Sequence, residues 1–261
     1  MLGKCFDLSE FLLVDEDNPL RYQDAATSEH VLAWLKYKSN NSTDPDRSEL
    51  VRGFLEYVQG VTMRPEPRKS SGDPSTYCQG DWMNSPWSIY RAGFELFVGR
   101  TLTLYDFDAE VSSDSERFFV EHSGYHHRPE LAAFIREAGT LANFIAVPDG
   151  FNTARCRRNG DYWDLTMHKF LNPQEKGVTG SSEFRRMVDS PSIRMFLDAW
   201  MTEQGEPLPL FPDRFTKQYP NRFPGRPATK HEWVSTINEM TNRIQTRRRE
   251  IQAYLDTLTD V

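Results

Sequence analysis

Cysteine is scarce in this chain: Cys5, Cys78 and Cys156 are the three in 261 residues, and they lie far apart. An odd, sparse set argues against a disulfide scaffold and predicts a reducing compartment. Apolar runs are short, none approaching the ~20 residues that span a bilayer. Met1 to Asp17 carries acids and has no basic stretch ahead of a small-residue cleavage site, which predicts no signal peptide. The expectation is a soluble, cytoplasmic protein with no membrane partner. Positive charge is also in deficit, with a net charge of −7, so the molecule as a whole is no electrostatic match for nucleic acid. Gly-x-Gly-x-x-Gly and Walker spacings do not occur, which removes the usual nucleotide folds, and no fixed-period repeat is visible.

Aromatic residues are plentiful. Seventeen Phe and six Trp offset an apolar share of 38%, because each buries a large area, and a chain of this length can enclose a substantial core. Thr27-Ser28-Glu29 opens a predicted helix through Val31 and Leu35. A second, with Leu50, Val51, Phe54, Leu55 and Val58 at helical spacing, ends at Gly60. Residues 63–81 read as a long loop. Phe94, Leu96 and Val98 alternate, and Leu102, Leu104 and Phe107 follow Gly99-Arg100, a pattern that predicts a β-hairpin; Arg117 to Val120 reads as a further short strand.

Pro129 suits the first turn of a helix, and Phe144 to Val147 reads as a short buried strand. Trp163 to Leu171 returns to helix, and Ser190-Pro191 starts another. A proline-rich segment, 207–227, carries Phe211, Phe215, Tyr219 and Phe223. Thr229-Lys-His-Glu232 is a capping box opening a long C-terminal helix, 229–258. The expected architecture is α+β, a helix-rich single domain over 1–261 with a small antiparallel sheet and residues 140–171 at its centre.

That central unit carries two resemblances. Phe144 to Pro148, Asn152-Thr-Ala-Arg155 and Asp161-Tyr-Trp-Asp164-Leu-Thr166 resemble an uncharacterised bacterial family, with the likeness continuing to Pro227, Glu232-Trp233 and Arg247 to Ile251. Kinship of fold is what this implies. Leu141-Ala-Asn-Phe-Ile-Ala-Val-Pro-Asp-Gly-Phe-Asn152 is also similar to a segment of His-Asn-His nuclease domains in modification-dependent restriction enzymes, which use an upstream acidic-His pair to activate water against a phosphodiester. Glu121-His122 stands at about that distance here. The chain departs from the nuclease pattern at Ser123, at Ala142 and at Ala154-Arg155-Cys156. The resemblances together imply a bacterial conflict or toxin-type protein, of the phage-defence kind, acting on nucleic acid or nucleotides.

Read as chemistry, Arg155, Asp161 and Asp164 are the candidate catalytic residues, since an arginine beside a helix-start acid can hold phosphate oxygens through paired hydrogen bonds. Asn143, Asn152, Arg158 and Trp163 are candidates for substrate contact. The structural alternative caps the helix with Asp161 and pairs Asp164 with Arg155. His122, His126 and His127 read as surface or turn residues, and no metal site or cofactor is indicated. Arg243, Arg247, Arg248 and Arg249 form a basic group that serves either a nucleic-acid surface or a solvated helix face. Gln204-Gly-Glu-Pro-Leu-Pro-Leu-Phe211 resembles the short peptides that dock on the bacterial DNA sliding clamp, which makes Leu208, Leu210 and Phe211 candidate contacts of a non-enzymatic interaction module that binds a partner through the Pro/aromatic loop 204–223; burial on the parent fold is the competing expectation.

Overall fold

Helices form wherever apolar residues recur every three to four positions. The structure, a computed structural model, describes residues 6–13, 25–39, 48–63, 76–77, 79–148, 151, 155, 162–172, 181–217 and 225–259. Helix α1 (Ser28–Ser39) buries Val31, Trp34 and Leu35, and α2 (Glu49–Gln59) buries Val51, Phe54, Leu55 and Val58. Ser48 caps α2 by accepting from Val51 N, and Gly60 ends it at φ 62°, a left-handed conformation that glycine adopts at little cost.

The predicted hairpin at 94–107 is helical instead. Helix α3 (Pro86–Val98) starts with proline in its first turn and closes at Gly99, φ 80°. After it come α4 (Leu104–Val111) and α5 (Ser115–Glu121), the second of which replaces the predicted strand at 117–120. The alternation of Phe94, Leu96 and Val98 misled because Ile89, Tyr90 and Phe94 also share one helical face, and that face is the one buried. Short α6 (Ser123–His126) and α7 (Pro129–Ala138) follow.

Part of the predicted 63–81 loop is strand. Strand β1 (Thr62–Met63) pairs in parallel with β2 (Thr76–Tyr77), and β3 (Gln79–Trp82) pairs antiparallel with β4 (Phe144–Val147), Asp81 opposite Ile145. Every residue of β4 is buried, as its unbroken apolar run predicts. The chain continues through α8 (Trp163–Leu171), α9 (Ser181–Val188), α10 (Pro191–Arg194) and the long α11 (Lys230–Thr259). The capping residues of α11 act as a staggered pair: Thr229 Oγ1 accepts from Glu232 N at 3.1 Å, while the Glu232 carboxylate reaches Ala228 N at 3.1 Å.

Helix α7 packs against both α1 and α11, and α3 packs on α11. The contact of α3 with α11 is close at Gly93, where a methyl group would lie 2.5 Å from Tyr125 Oη and 2.6 Å from the Trp233 ring. One large apolar cluster fills this helical body. A second, smaller cluster, from Phe6, Leu8, α2, β4 and the end of α11, adjoins it at Val61 and Trp82. The result is a helix-rich α+β fold with a small antiparallel sheet, and no described helix is long and apolar enough to cross a membrane.

Candidate functional site

Strand β3 runs into the turn before α3, and there it meets the 3-10 turn Leu141–Asn143 that leads into β4. Asn143 fastens the two. Its Nδ2 donates to Asn84 O at 2.9 Å and Ala138 O at 3.0 Å, and its Oδ1 accepts from Asn84 N at 3.1 Å. Asn143 is thus fully buried and spent on backbone groups.

Arg155 enters the same junction. Its Nη1 donates to Asp81 Oδ2 at 2.8 Å and to Trp82 O, its Nη2 to Met83 O, and its Nε to Thr166 Oγ1 at 3.1 Å. Thr166 in turn donates to Tyr162 O at 2.9 Å, so α8 is tied to the sheet edge through a hydroxyl and a guanidinium. The Trp163 ring lies 5.5 Å from that guanidinium and is itself sealed in the core, away from any base or ligand ring in solvent.

Asp164 does not pair with Arg155. Its Oδ2 accepts from Arg214 Nε at 2.8 Å and from Leu210 N at 3.2 Å, with both charged side chains at 0% exposure. Arg214 also donates to Gly225 O at 2.8 Å and stacks over Tyr162 and Phe211. Gly225 has φ 83°, and a methyl group there would meet Leu165 Cδ1 at 2.3 Å, so glycine is what lets the backbone approach this pair. The two ion pairs, Arg155–Asp81 and Arg214–Asp164, clamp α8 from opposite partners. Asp81 and Arg214 were not singled out from sequence; each is one charged residue in a loop-like segment, with no spacing to mark it. Asn152, Arg158 and Asp161 lie outside the described residues, as do Cys5, Cys78 and Cys156.

The segment with Leu208, Leu210 and Phe211 is bound down. Leu210 is buried, and Leu208 and Phe211 are half-buried. Arg243 donates to Leu208 O at 2.8 Å and Pro209 O at 2.7 Å, and Leu208 N donates to Trp200 O. The basic group on α11 divides accordingly: Arg243 and Arg247 are buried, Arg248 faces the buried Glu137 at 3.5 Å, and Arg249 is exposed.

His126 is likewise an interior residue, not the surface or turn residue expected. Its Nδ1 lies 2.9 Å from Phe119 O, which can only accept, so Nδ1 carries the proton and Nε2 accepts from Tyr90 Oη at 2.8 Å. Burial pushes its pKa down to about 4. Burial also raises the hydroxyls of Tyr90 and Tyr125 well above their usual value, and Tyr125 donates to Tyr90 O at 2.7 Å. His122 is only partly enclosed, its pKa lowered by the same cause. No cluster of three His, Cys, Asp or Glu side chains that could hold a metal ion occurs among the described residues.

Polar residues that are not enclosed collect on α4 and α5. Tyr105 is 82% exposed, Val120 67% and Leu104 49%. Around them stand Asp106, Asp108, Glu110, Asp114, Glu116 and Glu121, with Arg117 as the one base in 103–121. Arg100 takes Glu110 through two hydrogen bonds and Lys36 takes Glu116 at 2.6 Å; hydrogen bonds from Thr103 hold the Asp106 carboxyl below the usual range. The turn between the two helices is short, and they pack on one another and on α1. No family model, curated protein or solved structure matches this chain.

Proposed function

We propose that the protein is an interaction module whose α4–α5 pair receives a basic segment of another protein. The observation that carries this reading is Tyr105. A tyrosine at 82% exposure, with Leu104 beside it and Val120 on the next helix, is the kind of amphipathic anchor that binding surfaces present. Its acidic surroundings favour Lys or Arg on the partner and repel nucleic acid by like charge. A partner that places an apolar side chain on Tyr105 and bases around it fits both features.

This reading differs from an interaction through Leu208, Leu210 and Phe211, since Leu210 is committed to the core and the carbonyls of Leu208 and Pro209 are held by Arg243; residues 218–223 lie outside the described residues. It also differs from a protein acting on nucleic acid or nucleotides through Arg155 and Asp164, because each of those side chains has its charge answered inside the fold.

The test is a photo-crosslinking residue at position 108, one turn along α4 from Tyr105, used in the cells the protein comes from, with the otherwise wild-type chain compared with Val120→Lys. The expected result is a crosslinked protein whose contacting segment is basic, with a yield that falls in high salt and in the variant. Crosslinks to nucleic acid, or to a protein whose yield is the same in Val120→Lys, would overturn the reading.

A further inference from the structure

Four arginines are buried among the described residues, and three of them have a carboxylate. Arg155 has Asp81, Arg214 has Asp164, and Arg243 has Glu239 at 2.8 Å. Arg247 has none. Its Nη1 donates to Ala142 O, in the 3-10 turn before β4, while Nε and Nη2 are shut off from solvent and have no acceptor. These two free donors are not scattered. Nε–H and the outer Nη2–H lie along one edge of the planar guanidinium, the same two-pronged edge that grips a carboxylate side-on.

Such an edge is expensive to leave empty. A buried cation without a counter-charge costs several kcal/mol, and an arginine cannot escape by losing its proton near neutral pH: burial brings Arg247 down only to about 10. The acid whose field reaches it, Glu250 one turn along α11, makes no ion pair with it: Glu250 Oε2 is buried without a partner, and burial and Asp198 push its pKa up against the pull of Arg247 and Arg249.

The geometry points to a small-anion site on the Nε–Nη2 edge of Arg247, occupied by a chloride-sized ion that is enclosed as the chain folds. The enclosure decides the size class. Both donors are sealed, so a nucleotide or any other large phosphate ester has no way to them, whereas a single halide needs little more room than a water molecule. The ion would complete the charge balance that the other three buried arginines achieve with carboxylates. Because it binds the folded chain and not the unfolded one, stability must rise with its concentration.

The experiment is thermal unfolding of the full chain at constant ionic strength, with chloride exchanged stepwise for a large organic anion, for wild type and Arg247→Met. The expected result is a wild-type midpoint that climbs with the logarithm of chloride and an Arg247→Met midpoint that does not move. The two variants also separate in sign. Without an anion, replacing an unanswered buried cation by methionine should raise stability at every chloride level; with one, the variant should be the less stable at high chloride. A wild type indifferent to chloride, or a variant that keeps the wild-type dependence, overturns the site. Should Arg247→Met fail to fold, wild-type crystals grown in bromide decide: an anomalous peak on the Nε–Nη2 edge supports the site, and an empty edge overturns it.

Discussion

Arg155 and Asp81, 74 positions apart in the chain, form an ion pair of 2.8 Å that closes the junction between the antiparallel sheet and α8. Every nitrogen of that guanidinium has an acceptor, two of them backbone carbonyls of the residues just after Asp81. The arrangement secures the end of β3 where it turns into α3.

Removing one partner of such a pair leaves the other charge buried. Arg155→Met is therefore expected to cost about 3–5 kcal/mol in urea unfolding. Arg155→Lys should recover little of it, since an ammonium cannot reach Asp81, Met83 O and Thr166 at once. A lysine variant as stable as wild type would show that the fan of acceptors is not what holds the junction.

Stability should depend on pH through His126. Its folded-state pKa, about 4, lies below the 6.5 of an ordinary histidine, so the unfolded chain takes up the proton more readily. The contribution is fully present above pH ~6.5 and is lost as pH falls toward 4, amounting to at most about 3 kcal/mol. The neighbouring His122 and His127 push in the same direction once charged. Unfolding midpoints measured across this window should drop for wild type and drop less for His126→Gln. Equal slopes for the two would remove His126 as the source.

Gly93→Ala sets two effects against each other. Alanine in a helix interior gains about 1 kcal/mol over glycine. Here the new methyl would run into Tyr125 and Trp233, whose rings are fixed by hydrogen bonds to Tyr90 O and Ile89 O. Overpacking against rigid rings costs about 1–3 kcal/mol, so net destabilisation is expected, read as a midpoint lowered by several degrees. A rise in midpoint would mean that α3 and α11 can move apart at no cost.

Two aromatics on α4, two positions apart, should behave oppositely. Phe107 is fully buried and contacts Trp34 and Trp87, so Phe107→Ala is expected to cost about 3–5 kcal/mol. Tyr105→Ser should change stability by no more than about 0.5 kcal/mol while abolishing the crosslinked partner proposed above. Loss of stability in Tyr105→Ser would mark it as part of the fold, not of a binding surface.

Much of the helical body was legible in the chain itself. The starts at Pro129 and Thr229, the stop at Gly60 and the unbroken apolar run of β4 are local features whose cause lies within a few residues, and local periodicity is enough to reveal them. Phe94 to Phe107 shows where that ends: two periods fit one short stretch, and only the neighbouring α11 and the Tyr125 ring decide which face is covered. Arg155 and Asp164 stood out in the chain as catalytic candidates or as a pair with one another; each is instead paired with a different residue. Their partners were not recognisable. Asp81 and Arg214 reach them across 74 and 50 positions, and no spacing rule joins residues brought together by the packing of α8 between a sheet edge and a loop. Composition and local period thus determined the helices with clear starts and stops and the buried strand β4; the choice between helix and strand at 94–107, and the burial of charge with it, was settled by tertiary packing, since the cost of an unanswered charge depends on what surrounds it and not on what precedes it in the chain.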